Sequence, residues 1–139
     1  MKAIFRKSIH WLVSISLLAS LPGYAQVPEG TTTLKSGYKF GELVSRLEAS
    51  VGQNKMAVVA SASASKGAAG RGVTIPGNAV IMVFRNDYAV RMLEASVPAG
   101  IEAPLHFYVT EGADGRASLT WRTPSATFAV YKNAKIDEM

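Results

Sequence analysis

The sequence contains no cysteine, although it begins with the pattern of an export signal. Basic residues Lys2, Arg6 and Lys7 precede the apolar run "IHWLVSISLLASL", and small residues follow it up to Ala25. This order of parts predicts a signal peptide over residues 1–25, cleaved after Ala25. Exported domains often rely on disulfides, so a chain without cysteine must be held together by the burial of apolar side chains alone.

The length of the apolar run separates two interpretations of this leader. The run has about 13 residues, whereas an uncleaved membrane anchor needs ~20. We therefore expect a periplasmic or secreted protein with no stable membrane insertion after cleavage. The missing cysteine also excludes an N-terminal lipid anchor, thiolate catalysis and the common zinc-ribbon ligand sets.

The positive charge of the chain owes much to this leader. The whole sequence has 15 basic and 10 acidic residues and a formal net charge of +5. Removing Lys2, Arg6 and Lys7 leaves 12 basic residues against 10 acidic ones. The remaining arginines are scattered among acids and form no stripe with aromatic side chains, so no nucleic-acid partner is expected.

The mature chain of about 114 residues is long enough for one domain with a core. We predict a linker over 26–30, a single domain over 31–132 and a polar tail over 133–139. Helical spacing of apolar residues marks two helices, and alternation or continuous apolar runs mark five strands. These segments are "TTTLKSGY", "KFGELVSRLEASVGQNK", "MAVVASASAS", "NAVIMVF", "YAVRMLEAS", "PLHFYVT" and "RASLTWR".

The order of these elements, β-α-β-β-α-β-β, predicts an α+β fold. We expect a two-layer sandwich in which a mostly antiparallel sheet carries two helices on one face. The glycine-rich stretch "GAAGRG" is predicted as a flexible or single-turn connector, and Asn86 or Asp87 as the cap of the second helix. The Asp114-Gly115 turn predicts a hairpin with the loop 111–115, pairing Phe107 with Leu119.

The sheet face without helices is the candidate functional surface. Its predicted side chains are small or polar: Ser61, Ser63, His106, Tyr108, Ser118 and Thr120, with Arg122 at the rim. Such a face must be solvated, occupied by a ligand or covered by a second subunit. We therefore interpret these residues as candidate ligand-binding residues, and the sequence implies no cofactor.

Two stretches carry a family resemblance. "AVIMVFRND" and "PAGIEAPLHFYVTEGADGRASLTWRTP" resemble the domain of unknown function 302 family, in which a strand ends in Phe-Gly-Asn-Pro, a helix and a Gly-(apolar)-Asp-Leu-Pro-Leu segment follow, and an Asp-Gly turn precedes a last strand that ends in Pro. The matching positions, interpreted as structural, are Phe84, Asn86, Gly100, Pro104, Asp114, Gly115 and Pro124.

The chain departs from the family pattern at the turn into the second helix. Arg85 stands where the family usually has Gly, and Asp87 where it has Pro. The resemblance implies a compact α/β domain, commonly homodimeric, and no reaction.

Three functional hypotheses follow. The first is a non-catalytic, homodimeric binding or interaction domain for a small ligand or a periplasmic partner protein. The second is a metal- or haem-binding accessory protein that uses His106, the only candidate metal ligand, because His10 lies in the signal peptide. The third is a small hydrolase with His106 as base and Tyr108 or a strand serine nearby. No Gly-x-Ser-x-Gly motif or other catalytic motif is complete, so we do not expect an enzyme.

Overall fold

The computed structural model of the protein describes residues 27–139, and the predicted signal peptide, residues 1–25, lies outside this part of the chain. The strands are β1 Thr31–Lys35, β2 Ala57–Ala62, β3 Asn78–Phe84, β4 Leu105–Glu111 and β5 Ala117–Arg122. The helices are α1 Phe40–Gln53, α2 Ala64–Ala69, α3 Asn86–Ala95, α4 Pro124–Phe128 and α5 Ala134–Asp137, with 3₁₀ segments at Val97–Glu102 and Ala129–Tyr131. None of the helices within 27–139 is both long and apolar enough to cross a membrane.

The five strands form one sheet in the order β1-β5-β4-β3-β2. Every neighbouring pair is antiparallel. The chain therefore enters at the edge strand β1, crosses to the other edge through α1 and returns strand by strand from β2 to β5. This arrangement confirms the predicted α+β class, a two-layer sandwich with an antiparallel sheet.

Helix α1 covers one face of the sheet and forms the main core with it. Leu43, Leu47 and Val51 recur every four residues, so they share one side of the helix and are all buried. They pack in one cluster with strand side chains that include Ile81 and Val109. Ile81 is 1% exposed and Val109 0%, because each alternates toward the helix from an interior strand.

Helix α3 contacts mainly the 3₁₀ segment and α5, and lies beside one end of the sheet. Met92, Ala99 and Ile136 form a second buried cluster there. Residues 133–139 thus differ from the predicted polar tail, because they contain α5 and its buried Ile136. Only the tertiary packing reveals this role, since one isoleucine among polar residues has no periodicity to detect.

The hairpin of β4 and β5 is present, but its register differs from the prediction. Phe107 pairs with Trp121, and the loop runs over 112–116. The carbonyl of Gly112 accepts a hydrogen bond from the backbone N–H of Gly115, and Gly115 then adopts φ +72°. A turn followed by a left-handed glycine closes the hairpin one position later than expected. The loop length is still odd, so each side chain keeps its predicted face.

Two local predictions between the strands are wrong. The connector after β2 forms the helix α2, because the Ser63 side chain accepts a hydrogen bond from the backbone N–H of Lys66 at 3.1 Å and caps it. Helix α3 begins one residue earlier than predicted, so Arg85 is its N-cap and makes no capping hydrogen bond through its side chain. Asn86 and Asp87 already lie inside the first turn.

Candidate functional site

The face of the sheet opposite α1, called the open sheet face below, brings together most of the predicted site residues. Tyr108 lies directly opposite Thr120, and Ser118 lies opposite Thr110. Residues that are directly opposite in an antiparallel pair share a face. His106 shares this face as well, and both His106 and Tyr108 are exposed.

Ser61 and Ser63 do not join this face, which corrects the prediction for both. Ser61 lies opposite the buried Ile81 and therefore points to the side of the sheet that carries α1. The cause is a β-bulge between Val58 and Ala60, because one extra residue inverts the alternation that follows it. Ser63 has left the strand and caps α2.

Apolar side chains occupy the part of the open sheet face where the serines were expected. This apolar half consists of Ala60 and Ala62 on β2 and Val80, Met82 and Phe84 on β3. The β3 side chains are half-buried, whereas both alanines are exposed. The sequence carried a signal for this surface, because "NAVIMVF" is apolar at every position after its first residue and so has no polar side to turn outward.

The other half of the open sheet face is polar and lies on β5 and the edge strand β1. Lys35 is opposite Ser118, and Thr33 is opposite Thr120. The hydroxyls of Thr33 and Thr120 share a hydrogen bond of 2.9 Å. Arg122 lies two residues after Thr120 and so on the same face, at the end of β5, where its Nη2 donates to the carbonyl of Ala126 at 3.4 Å.

A cavity of about 690 Å³ lies between the end of the sheet and the helices α3, α4 and α5. Its walls are mostly apolar and include Met56, Val83, Met92, Leu105, Phe128 and Ile136. No sequence pattern indicated this site, because its walls come from five distant segments, each of which by itself is typical of ordinary core.

Comparisons with known proteins find a family and a solved structure to which this chain is similar. The family model described as domain of unknown function DUF302 matches residues 32–139. The chain belongs to the DUF302 family. A similar solved structure is the crystal structure of an uncharacterized conserved DUF302 protein from Bacillus stearothermophilus, with a TM-score of 0.70 and 18% sequence identity over 79% of this chain and 86% of that chain. At this identity the likeness shows the shared fold. No curated protein matches the chain.

The DUF302 motif residues lie at the joints between elements. Phe84 ends β3, Asn86 begins α3 and Pro124 begins α4. Gly100 packs closely against α3, since a Cβ added there would stand 3.0 Å from Cδ2 of Leu93. These positions connect the sheet to the helices at the end where the cavity lies.

The remaining motif positions shape β4 and the hairpin. Pro104, just before β4, follows a cis peptide bond. The carboxylate of Asp114 accepts a hydrogen bond from the backbone N–H of Arg116 at 3.0 Å. Gly115 takes the left-handed conformation that completes the turn.

The two departures from the DUF302 pattern form an ion pair with each other. Nε and Nη2 of Arg85 donate to the two carboxylate oxygens of Asp87 at 2.7 and 2.8 Å. The hydrogen bonds to this carboxylate raise the pKa of Arg85, and those from the guanidinium lower the pKa of Asp87. The guanidinium carbon of Arg85 also stands 4.6 Å from the centre of the Tyr88 ring. Arg85 and Tyr88 both line the cavity.

The hydroxyl of Tyr131, at the end of the second 3₁₀ segment, donates a hydrogen bond to the carboxylate of Glu102, at the end of the first, at 3.0 Å. Partial burial, and then this bond, raises the pKa of Tyr131.

His106 has Met82 directly opposite on β3. Within residues 27–139, no three or more histidine, aspartate or glutamate side chains are grouped as metal ligands would be.

Proposed function

We propose that this DUF302 chain is an exported, non-catalytic binding domain that works as a homodimer through the open sheet face. The apolar half of that face carries the proposal. Val80, Met82 and Phe84 project from an interior strand on the side away from α1. Contiguous apolar surface rimmed by polar residues is typical of an interaction site.

The size of the open sheet face suits a second copy. Five strands spaced by ~4.8 Å and about six residues long at ~3.3 Å per residue make a face of roughly 24 by 20 Å. Side chains roughen that plane, so its accessible area approaches the ~600–800 Å² that each partner contributes to a stable interface. Two sheets packed face to face would also follow the ~10 Å spacing of natural sandwiches.

The asymmetry of the face restricts how two copies can meet. A homodimer with a two-fold axis uses the same patch on both subunits. The apolar halves can then cover each other only if β3 of one copy crosses β3 of the other, which brings Met82 near its own counterpart. The threonine-rich half on β1 and β5 would lie at the rim, where polar side chains are tolerated.

The mass of residues 26–139 in solution tests this proposal. Sedimentation equilibrium at micromolar concentration should give a dimer, and a monomer throughout that range would overturn it. Export is tested separately by N-terminal sequencing of protein expressed with its leader. A first residue of Gln26 supports cleavage after Ala25, and an intact leader contradicts it.

One arrangement favours the metal- or haem-binding alternative. The thioether of Met82 opposite the imidazole of His106 is a pair of ligand types that soft metals and haem accept. Metal analysis and an absorption spectrum of protein purified from the periplasm would reveal a bound species, and His106→Ala should abolish it. The hydrolase alternative loses both serines proposed on β2, because Ser61 lies on the opposite side of the sheet from His106 and Ser63 caps α2.

A further inference from the structure

We propose that the cavity between the sheet end and the helices α3, α4 and α5 binds an uncharged, mostly apolar small molecule. Its volume of about 690 Å³ lies within the ~300–1,000 Å³ that small-molecule sites occupy. Protein interiors otherwise leave few voids larger than a water molecule. The inference does not depend on self-association, because one chain supplies the whole lining.

The lining determines that the ligand is apolar. Val83 and Leu105 enter from the sheet, Met92 from α3, and Phe128 and Ile136 from the helices that follow β5. A ligand that covers these side chains removes apolar area from water at ~25 cal/mol per Å². A strongly polar ligand would lose its hydration there without matching hydrogen bonds.

Three methionines make part of the wall adaptable. Met56, Met92 and Met139 all line the cavity. Unbranched thioether side chains fill irregular gaps and adjust to differently shaped partners. We therefore infer a site that accepts a class of compounds rather than one rigid shape.

The charged groups in and next to the lining favour an uncharged ligand. The guanidinium of Arg85 is already paired with Asp87, and Arg91 stands 5.6 Å from the centre of the Tyr88 ring. Asp137 lines the cavity as well. Arg85 and Asp137 are the charged residues of the lining, and Asp87 and Arg91 lie next to it through Arg85 and Tyr88. The two positive and two negative charges sum to zero, so neither an anionic nor a cationic head group meets an excess of opposite charge. The remaining N–H groups of Arg85 can still donate to a hydroxyl or ester oxygen.

A fluorescence titration with N-phenyl-1-naphthylamine, an uncharged apolar probe, tests the ligand class. The mature protein should bind the probe, and decanol should displace it at a concentration at least 10-fold lower than decanoate or decyltrimethylammonium. Displacement by either ion as effectively as by decanol would overturn the assignment of an uncharged ligand. Failure to bind the probe would overturn the site.

A matched pair of variants tests the location. Ala89 lines the cavity from α3, so Ala89→Phe should fill the site and weaken probe binding at least 10-fold. Ala49→Phe makes the same change at an exposed position of α1 and should leave binding unchanged. Equal binding by both variants would place the probe elsewhere.

The unmodified protein provides a second measurement that does not depend on how a variant folds. The mature sequence has four methionines, three in the cavity and Met82 on the open sheet face. In a carbon-13 methyl spectrum, decanol should shift the signals of Met56, Met92 and Met139 and leave Met82 in place. A shift of Met82 alone would move the site to the open sheet face and overturn the proposal.

Discussion

Met82 on β3 and His106 on β4 lie directly opposite each other on the open sheet face. Met82 belongs to the apolar half, whereas His106 lies on β4, which pairs with the polar strand β5. The pair therefore marks the line where the surface changes from apolar to polar, and it allows the two halves to be tested separately.

Met82→Lys should weaken the homodimer. An ammonium group at the centre of the proposed interface would lose its hydration without a partner, so we expect the dimer dissociation constant to rise at least 10-fold in sedimentation equilibrium. Val90→Lys changes an apolar residue that is 47% exposed on α3 and serves as the control. An unchanged dissociation constant for Met82→Lys would contradict the proposed interface.

Cysteine crosslinking should report the crossing of β3 over β3. The natural chain has no thiol, so each single-cysteine variant carries one reactive group. We expect Met82→Cys to form a covalent dimer with a short bis-maleimide, measured on a denaturing gel. Thr33→Cys on the edge strand β1 should remain monomeric on that gel. The reverse pattern would require the polar halves to meet instead.

Gly77→Ala should destabilise the fold. A Cβ at this position would stand 2.6 Å from Cγ of the Phe40 ring, at the start of α1. We expect a loss of about 1–3 kcal/mol in the free energy of unfolding, typical of overpacking, measured by urea denaturation at one protein concentration. Gly41→Ala meets nothing within 4 Å and should be neutral or stabilise the helix by up to ~1 kcal/mol. Equal stability of both variants would show that the Phe40 ring shifts away from the added methyl group at little cost in free energy.

Asp87→Asn should change how stability depends on pH. Arg85 lowers the pKa of Asp87 in the folded state, so this carboxylate stabilises the fold at pH values above its unfolded pKa of about 3.9. That contribution is lost as the pH falls through the lower folded pKa. The melting temperature of the variant should therefore lie slightly below that of the natural protein from pH 5 to 8, and the two should converge in acid.

Arg85→Gln provides the matching control for this ion pair. Removing the guanidinium should produce the same loss of pH dependence, because the pKa of Asp87 then returns toward its ordinary value. A gap in melting temperature that persists unchanged in acid would assign the effect of Asp87→Asn to something other than the ion pair.

Local patterns predicted much of the fold. The four-residue spacing of Leu43, Leu47 and Val51 identified α1 and its buried side. Odd loop length kept the correct faces of β4 and β5, even though Phe107 pairs with Trp121 instead of Leu119. The family motif was recognisable because its residues lie at the joints where strands turn into helices.

The candidate sites were less predictable, and two features explain why. The bulge after Val58 carries no strong sequence signal, yet it moved Ser61 to the side of α1 and gave Ala60 its place on the open sheet face. The cavity joins Met56 to Ile136, residues whose proximity depends on how α5 returns to α3.

By itself, the sequence determined the DUF302 family, the α+β class and the sides of the hairpin strands, because periodicity and turn chemistry act over a few neighbouring residues. Only the tertiary structure decided that Ala60 and Ala62, instead of Ser61 and Ser63, complete the apolar half of the open sheet face and that a cavity lies at the end of the sheet. Both depend on a single inserted residue or on contacts between distant segments, which no local pattern records.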